Sequence, residues 1–390
     1  MKILVICQYY YPEPFRINDI CEELVKKGHE VTVVTGTPNY PMGEIYNGYE
    51  NGLKSDEVLN GVKIHRCNIL PRKTGAVHRF LNYYSYPHQS CKYIERLDEK
   101  FDVVFINQLS PVMMAKAGIK YTKKNKVRSI LYCLDLWPES LVAGGIKRGS
   151  AIHKLFHHES KKIYKNVDKI LATSCSFSDY FKEEFNIENV SYLPQYAEDL
   201  FNPIECKKEP NEYIDLMFAG NVGTAQSVKT VIQVAEKCKD IKNLRWHIVG
   251  DGIELENLKK MSGDLPVTFH GRKPVEDMPK YYSMADAMLV TMQKDPVLSL
   301  TLPGKVQSYM AAGKTIIGAI NGETQKIVGE AKCGFIVGAE DVNGLEEVVR
   351  EFAVMKDRDE LGSNGRKYYE ENFSRDRFID ELEKSLREIR

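Results

Sequence analysis

The first half of the sequence alternates short apolar runs with longer stretches of helical period. The apolar runs are continuous, which is typical of strands buried on both faces of a parallel sheet. They are KILVICQ from Lys2, EVTVVT from Glu30, DVVFINQ from Asp102, SILYCLDL from Ser129 and KILATS from Lys169. Between the first two runs, a predicted helix places Ile20, Leu24 and Val25 on one face and ends at Gly28.

The same pattern restarts after residues 192–212, a segment with three prolines and little periodicity that we interpret as a linker. A helix over roughly 225–239 is expected after the first new strand. Repeated strand–helix–strand units in both halves predict an α/β fold of two doubly wound, Rossmann-like domains, 1–200 and 201–372, with a closing helix in 373–390. The predicted strands of the second half are DLMFAGN from Asp215, LRWHIVG from Leu244, VTFHG from Val267, AMLVTM from Ala287, TIIGAI from Thr315 and GFIVG from Gly334.

Composition excludes several classes of protein. With 390 residues and 43% hydrophobic residues, the chain is long and apolar enough to bury more than one core. Its 54 basic and 54 acidic residues give a formal net charge of +0, so no global field draws it to nucleic acid, and we expect no nucleic-acid partner. Any anion must be captured locally.

The cysteine pattern and the apolar runs indicate a cytoplasmic protein. The nine cysteines contain no C-x-x-C pair, which does not fit a disulfide framework or a zinc site. No signal-type segment and no run near about 18 apolar residues is present. Hydrolase and kinase signatures, the GxSxG elbow and the P-loop, are also absent.

Two segments of the second half suit a phosphate group. GNVG, residues 220–223, forms a turn between a predicted strand and helix, where it either brings backbone N–H groups to a phosphate or is an ordinary connection. In LTLPGKVQSYMAAGK, Lys305 lies in the first turn of a helix that begins at Pro303 and Gly304. A lysine there opposes the helix dipole unless an anion is bound. We therefore expect Lys305 and nearby N–H groups to neutralise a diphosphate without a metal.

Three features of the first half are candidates for chemistry. Asp135 ends a predicted strand just before Trp137, where it either binds or deprotonates a hydroxyl or caps the next helix. Arg16, in PEPFRIND, either grips a phosphate or carboxylate or is a surface charge. His153 and His157 form an i, i+4 pair without a third ligand, which favours packing over a metal site.

Taken in order, PEPFRIND, DLWPES, PQYAEDLF, GNVGTAQ and LPGKVQSYMAAGK resemble family 4 glycosyltransferases of the GT-B fold over nearly the whole chain. Within that family the set is similar to capsule and O-antigen sugar transferases, including N-acetyl-L-fucosamine transferases. The resemblance implies a UDP-sugar donor held by the second domain and an acceptor held by the first. It also implies that the closing helix returns to the first domain, and no metal or other cofactor is expected.

The family's Glu-x7-Glu motif falls on Leu300 and Ser308, so both of its carboxylates are absent from this chain. The second of them usually holds the nucleotide ribose, and Glu323 is the candidate to replace it. An Arg and a Lys that many relatives carry fall on Asn221 and Gln226. The resemblance therefore leaves the diphosphate to the lysine, to backbone N–H groups and to Arg272 as a helper.

These implications predict a retaining, metal-independent transferase that moves an N-acetylated hexosamine or deoxyhexosamine from a UDP-sugar to a lipid-linked saccharide for surface polysaccharide. The catalytic candidates are Asp135 and Lys305, and the acceptor-binding candidates are Arg16 and Trp137. The donor-binding candidates are Gly220, Asn221, Gly223, Thr224, Arg272, Pro303, Gly304, Lys305 and Glu323.

Two other functions stay open at this point. A UDP-sugar epimerase of the same architecture would convert the donor with no acceptor present, and a catalytically silent nucleotide-sugar binding protein would release no UDP. The basic and aromatic stretch around Arg72, Lys73, Arg79, Phe80 and Leu81 adds a hypothesis of peripheral membrane contact, against the alternative of an ordinary amphipathic helix.

Overall fold

The computed structural model describes residues 1–71, 76–143 and 145–390. The chain forms two compact units. The first contains Met1–Leu193 together with Ile379–Arg390, and the second is Pro194–Phe378. Each unit is built around one sheet, of eight strands in the first and six in the second. This confirms the predicted doubly wound α/β fold class.

The sheet of the first unit has the strand order β3-β4-β2-β1-β5-β6-β7-β8. All neighbouring strands pair in parallel except β3 and β4, which are antiparallel. The strands are β1 (Lys2–Ile6), β2 (Glu30–Gly36), β3 (Asp56–Leu59), β4 (Val62–Cys67), β5 (Val103–Gln108), β6 (Arg128–Cys133), β7 (Lys169–Ala172) and β8 (Val190–Tyr192).

Helices cover this sheet, and their apolar faces bury its central strands. Every residue of β5 is buried, as expected for a strand between two helical layers. The helices are α1 (Ile17–Lys26), α2 (Ala76–Arg96), α3 (Lys116–Asn125), α4 (Glu139–Ala143), α5 (Ala151–Tyr164) and α6 (Ser176–Phe185).

The second unit is an all-parallel sheet in the order β11-β10-β9-β12-β13-β14. Its strands are β9 (Ile214–Ala219), β10 (Leu244–Val249), β11 (Val267–Gly271), β12 (Ala287–Thr291), β13 (Thr315–Ala319) and β14 (Gly334–Val337). Its helices are α7 (Lys229–Lys237), α8 (Leu255–Ser262), α9 (Met278–Tyr282), α10 (Gly304–Ala311), α11 (Glu323–Ala331), α12 (Val342–Val354) and α13 (Arg358–Asn372).

Alternate residues of β9 point into two separate apolar cores. Met217 belongs to one cluster and Phe218 to the other, so each face of the sheet is covered. Because all six strands are parallel, their carboxyl ends lie along one edge, which is where ligands bind in such sheets.

Two expectations from the sequence differ from the structure in detail. The helix expected over 225–239 begins only at Lys229, because Ser227 has a left-handed φ of 44° that interrupts the helix. The segment between β8 and β9, which we interpreted as a linker, contains no helix or strand. It nevertheless packs into the second unit, where Ala197 and Phe201 are buried.

The chain closes with α14 (Arg375–Ile389), whose last part belongs to the first unit. Lys27 Nζ lies 2.6 Å from Asp380 Oδ1, and His29 Nε2 lies 3.0 Å from Glu383 Oε1. These pairs attach the end of the chain to the segment between α1 and β2.

Candidate active site

The turn after β9 is held against the loop that follows β10. Gly220 N donates to Val249 O at 2.9 Å, and Val222 N donates to Asp251 O at 2.9 Å. The parallel ladder therefore continues past the ends of both strands. Gly220 has a φ of 137°, a conformation that favours glycine. The turn is a fixed extension of the sheet edge.

Two glycines that we did not predict from the sequence permit this close approach. A Cβ atom on Gly250 would lie 1.8 Å from Gly220 O, and one on Gly252 would lie 2.3 Å from Val222 O. Neither position has room for a side chain. The string VGDG directly after an apolar strand is the signal that could have identified them.

The polar side chains of the turn bind one another. Gln226 Oε1 accepts from Asn221 Nδ2 at 3.1 Å and from Gly223 N at 3.2 Å, while Thr224 Oγ1 donates to Glu254 Oε1 at 3.1 Å. Gln226 therefore braces the turn at a position where the family resemblance implies a charged residue. Donor binding by Asn221, Gly223 and Thr224 stays a prediction.

Lys305 is the second residue of α10, and its side chain reaches the same turn. The Nζ atom is buried, finds no hydrogen-bond partner among the described residues and lies 3.7 Å from the ring centroid of Phe218. A Cβ on Gly220 would lie 2.8 Å from it. Burial lowers the pKa of Lys305 to about 7. The buried Lys305 amine thus lies directly beside the glycine turn.

The first turn of α10 adds backbone donors to this amine. Pro303 at the N-cap is extended, with φ −63° and ψ 130°, and no side chain caps the helix, which starts at Gly304. Helix N-termini attract anions through these N–H groups and through the dipole. An anion placed there would also favour the charged form of Lys305. The arrangement is chemically suited to phosphate.

The other predicted donor-binding residues lie on separate elements of the second unit. Arg272 is exposed directly after β11, and Glu323 is the first residue of α11 with only 3% of its surface exposed. Leu300 ends a short 3₁₀ helix, and Ser308 Oγ donates to Gly304 O at 3.4 Å. Arg272 follows β11 and Glu323 follows β13, so both lie at the carboxyl edge of the sheet, and donor binding by both stays a prediction.

In the first unit, Asp135 follows β6 and belongs to a network centred on Ser110. Ser110 Oγ donates to Asp135 Oδ2, accepts from Trp137 Nε1 at 2.6 Å and lies 3.1 Å from Ser140 Oγ. Burial raises the pKa of Asp135, and the Ser110 hydrogen bond opposes that rise. Trp137 is fully buried, so its ring offers no exposed surface to an acceptor, and acceptor binding by Trp137 stays a prediction.

Arg16 directly precedes α1 and is partly exposed. Burial raises the pKa of Tyr132 on β6, and the positive charge of Arg16 opposes this. The positive charge of Arg16 therefore lies near β6. Its contact with an acceptor stays a prediction.

Glu13 is a buried carboxylate of this edge that we did not predict. Its Oε1 accepts from Asn39 N at 2.8 Å and Tyr40 N at 2.7 Å, and its Oε2 accepts from Tyr10 N at 3.3 Å. Burial raises the pKa of Glu13 to about 7, although the three backbone donors act in the opposite direction. The loops after β1 and β2 are joined through this one side chain.

The two histidines of α5 lie near different carboxylates. The His153 and His157 ring centroids are 6.4 Å apart, and His157 Nε2 lies 3.3 Å from Glu184 Oε2. Within the described ranges, no three His, Cys, Asp or Glu side chains converge as metal ligands would.

Comparison with known sequences gives matches over both units. Residues 16–195 match the family described as Glycosyltransferase Family 4, and residues 204–368 match Glycosyl transferases group 1. Glycosyl transferase WcaI of Escherichia coli (strain K12), whose name refers to colanic acid biosynthesis, is 25% identical over 342 residues. The alignment covers 80% of this chain and 82% of that protein.

Solved structures share the fold over the full length. Sucrose-phosphate synthase from Thermosynechococcus elongatus superposes with a TM-score of 0.76 at 16% identity, covering 99% of this chain and 98% of that one. Anabaena HepE, solved with UDP-glucose, gives 0.71 at 12% identity with full coverage of both chains. WaaG, a glycosyltransferase of lipopolysaccharide biosynthesis, gives 0.68 at 15%, covering 99% of each.

None of the helices within the described ranges is both long and apolar enough to traverse a bilayer. Three findings agree on the family. The chain has two α/β units, two family models together match most of its sequence, and solved structures share its fold over the full length. The chain belongs to the family 4 glycosyltransferases of the GT-B fold.

Proposed function

We propose that this protein is a retaining, metal-independent transferase. It would move an N-acetylated hexosamine or deoxyhexosamine, such as N-acetyl-L-fucosamine, from a UDP-sugar to a lipid-linked saccharide in surface polysaccharide synthesis. The UDP-bound structural neighbours support a nucleotide-sugar donor. The colanic acid relative supports the polysaccharide role. The sugar class rests on the resemblance of the capsule-type motifs alone.

One observation carries the proposal: Lys305 Nζ is buried beside Gly220 and has no hydrogen-bond partner in the part of the chain that the structure describes. Burying a cation without a counter-ion costs free energy, so the site is set up for an anion that arrives as a ligand. A departing diphosphate develops negative charge in the transition state. Preorganised donors stabilise such charge without reorganisation when the bond breaks.

In the proposed reaction, the acceptor hydroxyl oxygen forms a bond to the anomeric carbon while the bond from that carbon to the diphosphate oxygen breaks. The departing phosphate oxygen takes the hydroxyl proton, so attack occurs on the face from which the diphosphate leaves. Lys305 and the N–H groups at the start of α10 would hold the diphosphate. Asp135, oriented by Ser110, would orient the hydroxyl.

An apolar surface on α2 supports a lipid-linked acceptor and peripheral membrane contact. Phe80 is 52% exposed and Leu81 is 46% exposed. Next to them, a groove of about 700 Å³ is lined mainly by apolar groups, including Leu70 and Tyr84. Arg72 and Lys73 lie outside the described residues, as does the side chain of Arg79.

The test is UDP release from UDP-N-acetylhexosamines with and without a saccharide acceptor. We expect release that depends on the acceptor, and a decrease in kcat of about 10²- to 10³-fold in Lys305→Ala, because one oxyanion-type donor is lost. Lys260→Ala is the matched control, since Lys260 is exposed in the last turn of α8, away from the carboxyl edge, and should remain near wild type. A Lys305→Ala enzyme with normal turnover, or conversion of the donor without acceptor, would contradict the proposal.

A further inference from the structure

Three aromatic rings form a cluster on the loops that follow β1 and β2. The Tyr9 and Phe15 rings stack with centroids 5.2 Å apart and an interplanar angle of 14°. The Tyr40 ring is tilted by 52° to both, at 5.5 Å from Tyr9 and 5.3 Å from Phe15. We call Tyr9, Phe15 and Tyr40 the aromatic platform.

The three residues of the aromatic platform differ in solvent exposure. Tyr9 is 4% exposed, Phe15 is partly exposed, and Tyr40 is 36% exposed. Tyr9 and Phe15 therefore support the Tyr40 ring from the protein side and leave part of it to solvent. The platform lies at the carboxyl edge of the first sheet, the edge that also carries Asp135.

Glu13 fixes the platform by joining its two loops. Its carboxylate accepts the backbone N–H groups of Asn39 and Tyr40 in one loop and that of Tyr10 in the other. The side chain has 0% exposure. A buried carboxylate costs free energy that a neutral residue would avoid, and the three backbone donors offset part of this cost only while the two loops keep this geometry.

Further polar contacts hold the same loop in place. Arg66 on β4, itself 5% exposed, donates from Nη2 to Tyr11 O at 2.8 Å. Asn18 accepts from Tyr11 N at 3.0 Å and donates to Glu13 O at 2.8 Å. Such fixed geometry is what a binding surface needs to avoid an ordering cost when its ligand arrives.

We propose that the aromatic platform binds a pyranose ring of the acceptor saccharide against the exposed Tyr40 ring, and that Glu13 is its positioning residue. The negative face of an aromatic ring attracts the weakly positive C–H groups on one face of a pyranose. This inference rests on the proposed function, because it names the part of the acceptor that the first unit recognises.

Saturation-transfer NMR with methyl glycosides of N-acetylglucosamine and N-acetylfucosamine tests the platform without requiring turnover. We expect transfer to the C–H protons of one pyranose face, reduced about fivefold or more in Tyr40→Ala and within about twofold of wild type in Tyr40→Phe. Tyr192→Ala is the control, because Tyr192 is 37% exposed and lies at the far edge of the same sheet.

The positioning role of Glu13 has a separate readout. Glu13→Gln should lower saturation transfer as Tyr40→Ala does, because one amide hydrogen would face the Tyr10 N–H. Its melting temperature at pH 8 should not fall, because a buried charge is removed. Wild-type saturation transfer in Glu13→Gln would overturn the positioning role.

Equal transfer in wild type and Tyr40→Ala, or none to either glycoside in wild type, would overturn the platform. Failure of the proposed function gives a different result: no UDP release with any acceptor while saturation transfer persists. If the proposed function holds but the platform does not, UDP release depends on the acceptor and the KM for the acceptor is unchanged in Tyr40→Ala.

Discussion

At the scale of single residues, Lys305 and Glu13 are two buried ionisable groups with strongly shifted pKa values. Burial lowers the pKa of Lys305 to about 7 and raises the pKa of Glu13 to about 7. Both lie at the carboxyl edge of their sheets, where ligands bind in α/β folds. Strongly shifted pKa values at such an edge favour function over a purely structural role.

Glu13 predicts a specific dependence of stability on pH. Its pKa is about 7 in the folded protein and 4.5 without burial, so the folded state holds a proton that the unfolded state releases between these values. The contribution to stability is therefore present below pH 4.5 and is lost as the pH rises through 7. We expect the free energy of unfolding of wild type, relative to Glu13→Gln, to fall by on the order of 3 kcal/mol over this range.

Urea unfolding at several pH values measures this difference. Glu44→Gln is the control, because Glu44 is exposed and should leave the wild-type profile unchanged. Parallel pH profiles for wild type and Glu13→Gln would show that Glu13 does not titrate in this range.

The sequence indicated some residues of the two candidate sites but not others. Lys305 was predictable because its conflict with a helix dipole is a local feature. Ser110 and Glu13 were not, because contacts that define their roles, to Asp135 and to Asn39 and Tyr40, lie 25 to 27 positions away along the chain. A serine or a glutamate shows no local pattern that indicates such distant contacts.

At the scale of elements, the turns after β9 and β10 behave as one structure. A Cβ atom at Gly250 would overlap Gly220 O, and Gly250 has a φ of 147°. We expect Gly250→Ala to destabilise the protein by about 2 kcal/mol or more and to raise the KM for the donor, because the two turns must separate. Thermal unfolding and donor kinetics measure the two effects.

Gly329→Ala supplies the comparison for this variant. Gly329 lies exposed inside α11, and nothing is within 4 Å of an added Cβ. Alanine there should stabilise the helix by about 0.5–1 kcal/mol. Equal stability of the two variants would contradict the account of the paired turns.

The apolar surface of α2 predicts binding to lipid. Serine at both Phe80 and Leu81 should weaken binding to phosphatidylglycerol–phosphatidylethanolamine vesicles by about tenfold or more, because apolar area no longer inserts. Val58→Ser is the control, since Val58 is 70% exposed on β3. Vesicle co-sedimentation that does not differ between these variants would exclude α2 as the lipid contact.

Elements with continuous apolar runs were the ones the sequence predicted. The five continuous apolar runs of the first half each became a strand, whereas β3 and β4 alternate polar and apolar residues and were missed. Alternation reflects a strand at or near the sheet edge, with one face less covered. The late start of α7 was missed because the left-handed Ser227 carries no local signal of its own.

For the whole molecule, the restart of the strand–helix pattern after residue 212 was enough to predict two α/β domains. The strand orders required the structure, because parallel strands joined by helices need not be neighbours in space. The return of the chain end to the first unit came from family resemblance, since the ion pairs of α14 with Lys27 and His29 join residues more than 350 positions apart.

The central claim is that a lysine and main-chain N–H groups receive the diphosphate of the donor. A crystal structure of the full chain with UDP tests it most directly. We predict that the β-phosphate lies within hydrogen-bond distance of Lys305 Nζ and of the N–H groups at the start of α10. UDP bound elsewhere, or with its phosphates held only through a metal ion, would contradict the claim.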